Sequence, residues 1–148
     1  MTPTLQGRWQ TRSLLLFLLG VPITMGFGQY YQAHRTALLL LMCVLVFGWV
    51  WDILYHGLQQ LRWDHDWPAL FQFLAGIIEG VSLWLLLQYT SLAQILQIPL
   101  PLTSTNGLTF SQFAAHYFSV WLAVFIASHS LMRVAFPRWR YQGGNWLS

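Results

Sequence analysis

The chain has 148 residues, of which 56% are hydrophobic and 7% charged, with a mean hydropathy of +0.50. A soluble domain carries about 25% charged residues, so this balance excludes an ordinary water-soluble fold and makes the chain a membrane protein. Its net charge of +3 comes from arginines alone, set at segment ends and not gathered into the basic groove that phosphates require, which argues against nucleic acid as a partner.

Four runs approach the roughly 20 apolar residues that cross a hydrocarbon core of about 30 Å. The first, 13–31, is the least regular: Gly20, Pro22, Gly26 and Gly28 predict a kink or a frayed end, which membrane helices tolerate when neighbours satisfy the freed carbonyls. Arg8 and Arg12 followed by LLLFLLGV also resemble a signal peptide cleaved after Gly26 or Gly28, but neither site has a clean A-x-A pattern and the sequence runs directly into the next span. The second run covers 36–57 and holds the lone cysteine, Cys43, so no disulfide or thiolate metal pair is available. The third covers 68–89, where Asp66 is the natural helix-start residue and Pro68 fits the first turn. The fourth covers 111–136, and Thr109 with Gln112 three residues later predicts a capping box. The expectation is an all-α integral membrane four-helix bundle, a single polytopic domain.

Arginine placement sets the orientation. With four spans, Arg8, Arg12, Arg62, Arg138 and Arg140 fall on one face with Arg133 near it, and Arg35 on the other. The positive-inside rule then puts the N and C termini in the cytoplasm, in a bacterial inner membrane or its equivalent. The connection from Thr90 to Thr109 has no charge and is expected to lie along the outer interface.

The four acidic residues, Asp52, Asp64, Asp66 and Glu79, all belong to the centre of the chain. Asp52 and His56 are one turn apart and share a helix face. Glu79 lies roughly 16 Å along the helix from Pro68, near mid-bilayer. A charge there costs about 2.5 to 3.5 kcal/mol on the insertion scale, so such residues face the bundle interior or a wet cavity. His129 falls at a depth similar to Asp52 on the fourth span. Carboxylate, imidazole and an open water position are the ingredients of a divalent metal site. The site read from the sequence therefore has Asp52, His56 and His129 as metal ligands, Glu79 as catalytic acid or base, and Asp64 and His65 as a gate or extra ligands. The plainer readings are an interfacial hydrogen bond for Asp52 with His56 and a protonated, helix-bonded Glu79. D-x-x-x-H alone is a weak signal.

Haem is disfavoured by geometry, because thirteen residues separate His116 from His129 and leave them roughly 140° apart around an ideal helix. His116 shares a face with Ser119, Ala123 and Ala127 and reads as a packing or interfacial residue. Gly76 and Gly80 form a small-residue face where a neighbouring helix should come close. Two functional readings follow: a membrane protein with an Asp/His/Glu cluster opening to the cytoplasm that binds a divalent metal or handles protons, or a non-catalytic accessory or assembly subunit. The partners expected are the lipid bilayer and either a membrane protein or a second copy of the chain. Nothing in the sequence decides whether it is an enzyme.

Overall fold

The structure, a computed structural model, describes residues 4–61, 68–99 and 108–130, with 132 and 134. The described residues are helical and contain no strand. Four helices are long and apolar enough to cross a membrane: α1 Leu5–Tyr30, α2 His34–Gln60, α3 Ala69–Tyr89 and α5 Phe110–His129, with a short α4 Leu92–Ile95 before the last. Side-chain bonds set the directions. Arg8 meets Gln59, Tyr55 meets Ala75, and Gln72 meets Ser128, so successive long helices run antiparallel. α1 and α3 each pack against α2 and α5, which places α1 and α3 across the diagonal of the bundle.

The first span differs most from expectation. It begins eight residues earlier than read from hydropathy, at Leu5, where the Thr4 hydroxyl accepts from the Gly7 amide at 3.1 Å. At 26 residues the helix is about 39 Å long, so Arg8 and Arg12 are carried on it and not before it. Pro22 does not kink it. Proline has no amide hydrogen and its ring presses on the carbonyl four residues back, and the turn ahead of it widens into a π turn, Leu16–Gly20, with the Val21 amide bonding back to Leu16. That turn shifts the buried stripe by one residue, from Gly7, Thr11 and Leu15 to Leu16, Gly20, Thr24 and Gly28.

The turn into α2 is tight. Gln32 takes a left-handed φ of 53°, and the Ala33 amide bonds to Gly28 at 2.9 Å, closing the helix as a Schellman motif without glycine at its left-handed position. Gly28 is required there, since a Cβ would meet the backbone and ring of His34. α4 closes in the same way, with Gln97 at φ 56° and the Ile98 amide on Ala93. Ala93 and Ile98 are buried in the main core, so this part of the connection packs into the bundle end and does not merely lie along the interface.

The remaining expectations resolve locally. The capping box at Thr109 is present in both directions. Pro68 sits at the N-cap of α3, one position before the first turn, and its carbonyl accepts from Phe71 and Gln72. Asp66 lies outside the described residues, as does most of the fourth span beyond Ser130. The faces of Gly76 and Gly80 do meet α5 closely, the first filled by the Trp121 indole and the second by the Tyr117 ring.

Candidate functional site

Near the end of the bundle where α1 starts, here the terminal end, three helices direct one ionisable side chain each to a common point. Asp52 is carried on the buried α2 face Gly48, Asp52, Tyr55, Gln59, and Glu79 on the buried α3 face Ala75, Gly76, Glu79, Gly80. Asp52 and Glu79 are 4% and 3% exposed. Between them lies Arg12. Its Nε donates to Asp52 Oδ2 at 2.9 Å and its Nη2 to Oδ1 at 3.0 Å, a bidentate pair. Its Nη1 donates to Glu79 Oε1 at 2.8 Å, with a longer bond from Nη2 to Oε2 at 3.3 Å.

The geometry explains the residue types. α1 and α3 are diagonal partners, and only a long side chain spans that gap; guanidinium offers two bonding edges where an ammonium is a point charge. The plane of the Arg12 guanidinium lies against α2 at Gly48, where any Cβ would overlap Nη1. Tyr55 and Tyr117 close the sides, donating their hydroxyls to the carbonyls of Ala75 and Gly76 at 3.1 and 2.7 Å. Toward the terminal end Arg8, one turn before Arg12, donates to Gln59 Oε1 at 2.7 Å and stands in the field of Asp52. A polar file thus runs from Gln59 through Asp52 to Glu79. Away from that end it stops at an apolar layer that includes Leu16, Leu41, Val44, Leu83 and Val120.

Of the residues singled out by sequence, the structure brings Asp52 and Glu79 together through Arg12. His56 lies one turn beyond Asp52, with Nε2 3.1 Å from the Gln60 amide and Nδ1 buried without a bond. His129 turns back on its own helix: Nδ1 is 2.9 Å from the Phe125 carbonyl and the ring packs on Phe125 at 4.5 Å. Among the described residues no three His, Cys, Asp or Glu side chains gather as a metal set. The physical reason at Asp52 and Glu79 is that Arg12 engages the carboxylate oxygens. Asp64 and His65 lie outside the described residues.

Arg12 is the residue that sequence reasoning missed, having been read as a boundary charge that sets orientation. The available signal was the spacing of Arg8 and Arg12, one turn apart on a helix with Thr4 as its cap, set against two intramembrane acids with no base among the spans. His116 was misplaced as well. It is 3% exposed on the inner face with Phe113, Tyr117 and Val120, whereas Ser119 is exposed, so the Ser119 stripe is not its packing surface. Comparison with protein-family models, with curated proteins and with solved structures finds no match to this chain.

Proposed function

We propose that the chain is an integral membrane protein whose Arg12–Asp52–Glu79 cluster handles protons, reached from the terminal end, which the arginine asymmetry makes the cytoplasmic one. The observation that carries this reading is the division of the guanidinium. Asp52 and Arg12 form a bidentate pair that is complete by itself, and Glu79 uses the other edge, with the longest of the four bonds. Glu79 is therefore the member that can take a proton and leave without breaking the pair beneath it. With both carboxylates ionised, Arg8 and Arg12 balance Asp52 and Glu79; a proton on Glu79 shifts the group by one charge. Intramembrane ionisable groups facing a bundle interior mark such relays.

The test uses protein reconstituted in vesicles with a pH-sensitive dye trapped inside. After an outward potassium gradient sets a potential, wild-type vesicles should take up protons, and Glu79→Gln should slow that uptake at least tenfold while the protein stays folded in the membrane. Infrared difference spectra across a pH step should show a carboxyl band that Glu79→Gln removes. Equal flux and an unchanged spectrum in the variant would overturn the reading and leave the accessory-subunit role.

A further inference from the structure

At the opposite end of the bundle, beyond the apolar layer, α1, α2, α5 and the segment around Pro99 enclose a cavity of ≈110 Å³. His116 lines it. Its Nε2 is 2.9 Å from the Thr24 hydroxyl, its ring meets Phe27 edge-on at 5.5 Å, and its Nδ1 is buried without a hydrogen-bond partner. A buried imidazole nitrogen left unbonded is costly, and here the only open space it borders is this cavity. The other walls are mostly apolar, including Phe27, Tyr31, Ala37 and Leu40, with Thr36 and Gln112 as further polar residues. The Gln112 Oε1 already accepts from the Thr109 amide.

Water is a poor occupant. The volume would take three or four molecules at about 30 Å³ each, and each buried water needs two to four polar partners. An apolar cavity of about 150 Å³ accepts one benzene ring, so this space suits a single ring and not a fused system. We propose that the cavity is a binding site for a hydroxylated six-membered ring, a phenol or hydroquinone headgroup, with its hydroxyl bonded to His116 Nδ1 and its ring against Phe27 and Tyr31. A hydroxyl both donates and accepts, so it serves either imidazole tautomer. The site is independent of the ion-pair cluster, from which the apolar layer separates it.

The experiment titrates phenol into the full-length protein in lipid nanodiscs, following the thermal midpoint and the ¹⁵N signals of labelled histidine, with benzene as comparator. Phenol should bind saturably, shift the His116 signals and bind roughly 3- to 10-fold more tightly than benzene, the ratio one net hydrogen bond supplies. His116→Phe should erase the preference and keep the ring binding. Ala37→Leu, which fills the cavity, should abolish both, and Glu79→Gln should change neither. Phenol no tighter than benzene in the wild type, or phenol binding intact in Ala37→Leu, overturns the proposal; should Ala37→Leu fail to fold, the His116→Phe comparison decides alone. A hydroquinone bearing a decyl chain, supplied from the bilayer, separates the sources: displacement of phenol by it assigns a membrane-borne ring, phenol binding alone assigns an aqueous one, and binding by neither ends the idea.

Discussion

In the terminal half of the bundle Arg12 makes four bonds to two carboxylates, and Tyr55 and Tyr117 reach backbone carbonyls at its sides. In the opposite half His116 makes one bond, to Thr24, and leaves its other nitrogen beside a cavity. Both halves bury polar atoms in a chain that is otherwise apolar, and they differ in whether the protein supplies the partners. Where it does, little besides a proton can change the state of the site. Where it does not, the missing partner must come from outside, which is why a small molecule is sought at one end and a proton at the other.

The largest effect should come from breaking the matched set. Arg12→Met leaves two carboxylates buried without compensation, and removing one partner of a buried pair costs about 3–5 kcal/mol. The expected result is a variant that accumulates poorly or melts far below the wild type in detergent. Replacing all three charges with apolar residues, as Arg12→Met with Asp52→Leu and Glu79→Met, should return stability to near or above the wild type, because isosteric apolar packing often matches a buried ion pair. Proton uptake should stay lost. If the triple variant were as unstable as the single one, the cluster would be holding the helices in a way apolar packing cannot replace; if Arg12→Met were neutral, the ion pairs would contribute nothing.

The reach of the sequence is clearest along α1. Hydropathy located four spans because apolar length is a local property, and the capping box at Thr109 was legible because it needs two residues three apart. Asp52 and Glu79 were legible because a carboxylate at depth must face inward. Arg12 was not, since the same hydropathy rule that finds spans trims charges from their ends, and whether an end arginine snorkels to the interface or folds inward depends on what lies across the diagonal. The His129 placement failed for a related reason: depth can be counted along a helix, but its ring is held by Phe125 and Ser128 of its own turn. The cavity beside His116 depends on how α1, α2 and α5 diverge, which no single segment encodes.

A second test concerns the wall of the terminal half. Gly76→Leu and Gly80→Leu should each destabilise by about 1–3 kcal/mol, the range for overpacking, since the added atoms meet Trp121 and Tyr117 respectively. Gly26 and Gly57 make the contrast, because nothing lies within 4 Å of a Cβ built there. Gly26→Ala and Gly57→Ala should be neutral or raise stability by up to about 1 kcal/mol through helix propensity. Thermal unfolding of the four variants in one detergent checks this. Equal losses at all four positions would show that glycine matters for the backbone of this bundle and not for its contacts.

The finest distinction lies in the two threonine caps, one at each end of the comparison. Thr4 accepts from the Gly7 amide at the start of the helix that carries Arg8 and Arg12, and Thr109 accepts from Gln112 at the start of the helix that carries His116. Either replaced by alanine should lose about 1 kcal/mol, the usual worth of such a cap. Their secondary effects should part. Thr109→Ala also loosens Gln112, whose side chain returns the bond to the Thr109 amide and which lines the cavity, so phenol binding should weaken by a fewfold while proton uptake is unchanged. Thr4→Ala frays the first turn of α1, close to Arg8, and should lower the retention of Arg8 on Gln59, slowing proton uptake modestly with phenol affinity intact. Vesicle flux and phenol titration on the same two preparations measure all four quantities, and a variant that moved both readouts together would show that the apolar layer between Leu16 and Leu83 does not isolate the two halves.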